Sequence, residues 1–417
     1  MFSFAEFIAE GAGEDSGPTH NGAIAHLVHH DHAHLTDNHA QEATVFSLRS
    51  LQNMKNGLDG KSTDSAIKHT NKADGKIAVS IGKHKGKHYA KYKGTNAKKC
   101  FSQQDVDDNY GPNGVADKPH VHKALSHVVA HAQHIVPKKE DNVEYQADVM
   151  HSGHDSDAVA RVDSDNSVKP NYLKYKFGDI KKTNKIGVAI TAKAKLDLDG
   201  NAHSISQNIP AAAGSHPHIH KFDTKLNLDS GREHMSEKAS ATFEKHHGEA
   251  TRLHNVMAAK GHYGHINGHG THMQTYLNSL MDSGSKPSTA GYKKHLKAVG
   301  EKAASKVKTE KSKSAKIAAH KALIDHVSNH KEAFDNAIAL HTHKNKAVGA
   351  IMPALMKSTN PKISQTHPDG SAADHEGVVS SEQKPGQKMI AMKAVPEKFR
   401  RGNREQGQKF KAARLAK

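Results

Sequence analysis

The chain has 417 residues, with 60 Lys and Arg against 43 Asp and Glu and a formal net charge of +17. That length can hold one large domain or a few ordinary ones, and the basic excess favours polyanionic partners such as nucleic acid, with a solubility bias as the plainer alternative. A single cysteine, Cys100, excludes an internal disulfide and a cysteine-based zinc site, and no apolar stretch approaches the roughly 20 residues that a membrane span needs. Hydrophobic residues are 35% of the total and aromatics 5%, but they cluster periodically, which predicts modest cores with long polar loops.

Phe4, Phe7 and Ile8 share one helical face and Gly11 can end that short packing helix. The same segment lacks the basic n-region of a secretory signal. Residues 12–40 are rich in Gly, His and Asp and read as loop. Val45, Leu48, Leu51, Met54 and Leu58 recur at helical spacing and predict a helix over 41–58. Ile77, Val79 and Ile81 alternate with Ala78 and Ser80 as in a half-buried strand. Residues 83–87 read as a hairpin loop, and 88–93 as the returning strand with Tyr89 and Tyr92 on opposite faces. Residues 101–119 are polar, and 120–136 return to a helical pattern.

Val143–Met150, Tyr172–Phe177 and Ile186–Ala192 read as further strands, with Ile205–Pro210 as a loop or edge strand. Helical runs follow over 236–259, 270–282, 288–309, 313–343 and 345–357. Residues 358–373 read as a linker, 376–395 as strands, and the last 22 residues as a basic tail with Arg400, Arg401, Arg404 and Arg414. The layout predicts an α+β fold. An N-terminal helix and His-rich loop occupy 1–40, a mixed core 41–234 and a helical subdomain 235–357. Residues 358–417 then complete the first sheet and end in the tail.

Two short motifs carry chemistry: Lys72-Ala73-Asp74-Gly75, and far downstream Glu376-Gly377-Val378-Val379 followed by Lys393. A lysine that attacks phosphorus must be neutral, in line, and surrounded by groups that stabilise the transferring charge. Lys393, as a second nearby cation, would lower the Lys72 pKa and contact a phosphate. Asp148 and Glu376 suit a ribose hydroxyl or a divalent metal, and magnesium favours carboxylates together with substrate phosphates. Asp74-Gly75 is also an ordinary turn signal ahead of a strand.

The histidines form ligand-like spacings at His29-His30-Asp31-His32 with His34, at His216, His218 and His220, and at His262, His265, His269 and His272. With 37 histidines such clusters arise easily, so structural or solvated imidazoles are the simpler expectation. The lysine-rich run 302–316 reads as a solvated helix face that could also track a phosphate backbone.

In these motifs the chain resembles the covalent nucleotidyltransferase superfamily of ATP-dependent DNA ligases, RNA ligases and capping enzymes. It is similar above all to a tailed-phage group related to RNA ligases. Further likeness lies in His88–Gly94, Pro170–Tyr175, Lys185–Ile190 and the segment Leu340–Leu355. The resemblance implies a ligase-like antiparallel-sheet catalytic domain with an inserted helical subdomain. It implies ATP and Mg2+ as cofactors, with lysyl-AMP formed on Lys72.

Asp74 and Gly75 would then border the nucleotide. Asp148 would take the acidic position of the third motif, Glu376 the metal- and nucleotide-binding position of the fourth, and Lys393 the phosphate-binding lysine of the fifth. The family's usual sugar-binding arginine is missing from residues 76–81, and Ala391 stands where many members have a second lysine. Lys93 or Lys388 would have to compensate. Only 24 residues follow Lys393, too few for the C-terminal OB domain of DNA ligases and capping enzymes.

The expected partner is nucleic acid, as RNA or as nicked or single-stranded ends, with no membrane. The expected setting is the cytoplasm of a bacterium during bacteriophage infection, or the virion. The alternative is a catalytically inactive ligase-fold module that binds nucleic acid or sits in the particle. AMP transfer to a protein is a third reading.

Overall fold

The apolar alternation over 77–81 and 143–150 produces the centre of the molecule. In the computed structural model, residues 28–36, 39–72, 75–92, 97–115, 118–152, 161–170, 173–177, 180–183, 185–206, 216–222, 224, 226–358, 363–367, 370–373, 376–382, 390–397 and 399–400 are described. The expected helix at 4–8 lies outside them. Among the described residues the fold is α+β, with sheets that are mainly antiparallel.

The largest sheet joins β3 (Ile77–His84), β4 (Lys87–Tyr92), β5 (Val143–His151), β8 (Ile186–Leu196), β9 (Ala202–Ser206) and β10 (Ile219–Lys221), in the order β10-β8-β5-β3-β4 with β9 also on β8. Ile77, Val79, Ile81, Tyr145, Ala147, Val149 and Val188 face two helices, α2 (Gln103–Tyr110) and α3 (Pro119–Ile135), and pack on Val106, Val121, Leu125 and Val128. The polar segment at 101–119 therefore contains a helix. Ser102 and Asp105 close a capping box at its start, and Val106 and Tyr110, four residues apart, supply a buried stripe. Tyr89 and Tyr92 do face opposite ways: Tyr89 donates to Glu144 at 2.6 Å, while Tyr92 packs on the helix-covered core.

A second sheet has the order β1-β13-β12-β2, from β1 (Val28–His29), β2 (Ile67–Asn71), β12 (Val378–Glu382) and β13 (Ile390–Ala394). Only β1 pairs in parallel here. β2 has no strand signature of its own; its partner β12 imposes the conformation. A third sheet orders β11 (Ile363–Thr366), β7 (Lys174–Phe177) and β6 (Ser167–Val168).

Helix α1 (Ala40–Leu58) lies on one face of the second sheet, where Phe46 packs on Ile67 and Met392. Its Leu51, Met54 and Leu58 share a core with Val378, Ala394, Ile351 and Leu355. The remaining helices are the short α4 (Leu228–Gly231), α5 (Glu237–Ala259), α6 (His262–Ile266), α7 (Gly270–Ser283), α8 (Thr289–Ser305), α9 (Glu310–Asn329) and α10 (Lys331–Lys357). The sequence pattern divides the last two runs near residue 344, whereas the structure divides them at His330. Lys344 sits inside α10 and is fully buried.

Residues 28–35 overturn the expectation of a loop over 12–40. Val28 and His29 form β1, and His30–Leu35 form a 3-10 helix whose six residues are all buried. Neutral imidazoles are compact, so a His-rich run can be interior despite its polar composition, although both ring nitrogens of His34 are buried without a hydrogen-bond partner.

A polar seam runs between α1 and the second sheet. His30 lies between Ser47 and Ser380 at 3.3 Å each, and His69 lies between Ser380 at 2.9 Å and Asn53 at 2.8 Å. Burial pushes both histidines down to about 3. The folded protein thus holds neutral rings that the unfolded chain protonates near pH ~6.5. Stability is complete above that value and is lost as pH falls toward the folded value, at up to about 1.4 kcal/mol per pH unit for each histidine. Urea unfolding at about pH 7.5 and about pH 5 should show a marked loss at the lower pH. His69→Gln, which keeps hydrogen bonding and removes the titration, should reduce that loss.

Candidate active site

β2 ends where its ladder with β12 ends, and the next residue is Lys72. The Lys72 N–H donates to the Gly377 carbonyl at 2.8 Å, which carries the pairing one residue past the strand. This fixes the Lys72 side chain beside Glu376. Lys72 Nζ donates to Glu376 Oε2 at 2.8 Å across 304 residues of sequence. The Glu376 side chain is 2% exposed and that of Lys72 17%. Tyr175 in β7 donates its hydroxyl to Glu376 Oε1, so both carboxylate oxygens are engaged. The Phe399 ring lies 5.7 Å from Lys72 Nζ, within cation–π range.

Both motif glycines answer steric needs. Gly377 has φ 139°, and a Cβ there would fall 2.1 Å from the Ala394 carbonyl oxygen. A Cβ on Gly75 would lie 2.7 Å from Cβ of Asp148 and 2.8 Å from the Val149 carbonyl oxygen. Gly75 therefore lies hard against β5 at Asp148, and the Lys76 N–H donates to the Val149 carbonyl at 2.8 Å.

Asp148 is half-buried between Ala78 and Ala189, on the sheet face turned away from α2 and α3. Lys393 in β13 is opposite Val379 and His29, and Val379 is opposite Thr70. Cross-strand partners share a face, and strand residues two apart do also. Lys393 therefore stands on the same face as Thr70 and Lys72.

The structure thus brings Lys72 and Glu376 into contact, sets Gly75 against Asp148, and gives Lys393 the same sheet face. Asp74, Lys93 and Lys388 lie outside the described residues. Ala391, where a second lysine was sought, is buried. Tyr175 and Phe399 are members of the site that motif reasoning did not single out. Tyr175 had a faint signal, since it closes the stretch Pro170–Tyr175. Phe399 had none.

The site is fastened by a second, buried centre. Arg400 follows Phe399 and forks onto Asp31 of the 3-10 helix, with both nitrogens at 3.0 Å from its two oxygens. Asp31 is 1% exposed, and the guanidinium outweighs burial to hold its carboxyl well below the usual range. His32 stacks on His341 of α10 with ring centroids 5.0 Å apart, and His341 Nδ1 lies 3.1 Å from the Asp31 carbonyl oxygen. Burial lowers Lys344, one turn along α10, to about 7.

Asp31, His32 and His341 place three possible ligand atoms within 4.8 Å of one another. Arg400 already takes both carboxylate oxygens, however, and the Lys344 amine adds a second basic group. This chemistry makes a salt-bridge centre and does not suit a metal ion. Arg400→Met would leave Asp31 buried and unpaired and release the turn that carries Phe399. Chemical denaturation should show a loss of about 3–5 kcal/mol.

Glu376, just before β12, and Asp148 in β5 are oxygen donors, the donor type that magnesium prefers. No helix among the described residues is long and apolar enough to cross a membrane. No curated protein and no solved structure matches the chain. Residues 24–395, which carry all of Lys72, Tyr175, Glu376 and Lys393, match the model of a family of unknown function (DUF6267), and the chain belongs to that family.

Proposed function

We propose that the protein is an ATP-dependent nucleotidyltransferase of the RNA-ligase type that acts on nucleic-acid ends. The observation that carries this reading is the 2.8 Å contact between Lys72 and Glu376, two motif residues 304 positions apart, with Lys393 on the same sheet face. In the proposed reaction the Lys72 amine attacks the α-phosphorus of ATP. A P–N bond forms to give lysyl-AMP as the bond to pyrophosphate breaks, and the proton lost from Nζ passes to Glu376 or to solvent. Lys393 balances charge on the α-phosphate. Asp148 would hold magnesium together with Glu376 once a Glu376 oxygen leaves Lys72 or Tyr175, and the ion would neutralise charge on the leaving pyrophosphate.

AMP then moves from Lys72 to a nucleic-acid 5′-phosphate, and a strand hydroxyl displaces it as the phosphodiester closes. Exposed Lys302, Lys306, Lys308, Lys311 and Lys316 on α8, α9 and their connection give the acceptor a cationic surface.

A second reading follows from the closed state of the cluster. Lys72 is an ion-paired ammonium and both Glu376 oxygens are engaged. That arrangement also suits a ligase-fold module that binds nucleic acid, or sits in a virion, without chemistry.

Intact-mass analysis after incubation with ATP and magnesium separates the two. The enzyme reading expects a gain of one AMP that peptide mapping places on Lys72. Lys72→Arg, which keeps the ion pair and the fold, should abolish it. A folded protein that gains no AMP, or an adduct that survives Lys72→Arg, overturns the enzyme reading.

A further inference from the structure

Far from Lys72 in the sequence, the helical block gathers histidines from two helices and from the junction between α9 and α10. His265 belongs to α6, His326 to the last turn of α9, and His330 joins α9 to α10. One ligand atom from each lies within 4.8 Å of the other two. The His265 and His330 rings stack at 3.8 Å, and the His326 and His330 rings are 4.6 Å apart. All three are partly exposed, so an ion can reach them from solvent. We propose that His265, His326 and His330 form a binding site for a divalent transition-metal ion of the zinc class, which fastens α6 to the junction between α9 and α10.

Three features argue for it. His326 and His330 are spaced four apart around the end of α9 and so lie over one another on one face. The third ligand comes from a separate helix, which is how a metal gains purchase as a clip. His326 Nε2 also lies 2.8 Å from the His265 backbone carbonyl oxygen. Such a carbonyl accepts the Nε2 proton and leaves Nδ1 as the lone-pair atom, the arrangement that orients histidine ligands elsewhere.

The surroundings favour nitrogen-loving ions. Imidazoles select zinc, copper, nickel and iron over magnesium. Zinc–nitrogen bonds of ~2.0–2.1 Å put tetrahedral ligand atoms about 3.4 Å apart, so closing requires the His265–His330 stack to open by side-chain rotation. Three protein ligands leave a fourth position for water. The site is independent of the proposed chemistry at Lys72.

The test uses the full chain, stripped with a chelator, dialysed and titrated with zinc sulfate by calorimetry. With 37 histidines, weak background binding is expected, so the readout is one high-affinity equivalent above it. The proposal expects that equivalent to weaken at least ~10-fold in His330→Ala and to vanish in a variant with His265, His326 and His330 all changed to Ala. It also expects zinc to raise the melting temperature of the wild type and not of the triple variant. His246→Ala, at the separate pair in which His246 Nδ1 lies 3.0 Å from His343 Nδ1, should change neither. Cobalt(II) should give the intense visible bands of a tetrahedral site in the wild type and not in the triple variant. No high-affinity equivalent, or one that persists in a folded triple variant, overturns the proposal.

Discussion

The insertion of β12 between β2 and β13 is the constraint from which most of the structure follows. Residues 378–382 pair antiparallel with residues 67–71 on one side and 390–394 on the other. This one strand closes a loop that contains the largest sheet and every helix from α2 to α10. The residue that leads into the strand, Gly377, takes the N–H of Lys72, and the residue before that, Glu376, takes its ammonium. The opposite face of the same strand supplies Val378 to the core under α1 and α10. A change that breaks this ladder would therefore separate the site and open a core together. The loop-closure entropy is bearable because it grows only with the logarithm of length, by ~0.6 kcal/mol for each doubling.

The interior departs from a purely apolar core because the chain is poor in large hydrophobic residues. Imidazoles and hydroxyls fill the space between α1 and the second sheet, with Ser380 contacting both His30 and His69. A buried polar group costs free energy unless it is partnered. In this seam His30 and His69 have a neighbour at each ring nitrogen. Asp31 meets the same demand with a guanidinium fork. Such networks specify one arrangement more sharply than aliphatic packing does, because a shifted register leaves orphaned groups behind.

Elements with a strong period were readable from the chain. The helix at 41–58, the hairpin at 77–92, the strands at 143–150 and 186–192, and most of the helical block appear close to their expected bounds. What the pattern could not reveal depends on distant partners. Ile67–Asn71 has one apolar residue and becomes a strand because β12 lies beside it. His30–Leu35 looks solvated until α10 covers it.

The same division holds at the site. Lys72 and Glu376 belong to short motifs whose glycines have steric reasons visible only in three dimensions. Tyr175 and Phe399 are placed by tertiary contacts with no local rule. Arg400 reads as one basic residue in a basic tail, although it is the partner of a buried aspartate.

On the nucleotidyltransferase reading, the ion pair at Lys72 sets opposing demands. Glu376 stabilises the ammonium, while a nucleophile must be the free amine. The Tyr175 hydroxyl donates to Glu376 and so favours its charged form, which makes the carboxylate a weaker proton acceptor. The Phe399 ring also favours a cation. Lys393, on the same face, pulls the other way, because a second positive charge disfavours protonated Lys72. The resting site thus holds Lys72 in an ion pair with Glu376. Chemistry there requires the balance to shift when a polyphosphate and its counter-charge enter, which would protect the nucleophile until substrate is bound. A pure binding module needs no such shift, so the charge state of Lys72 is where the two readings part.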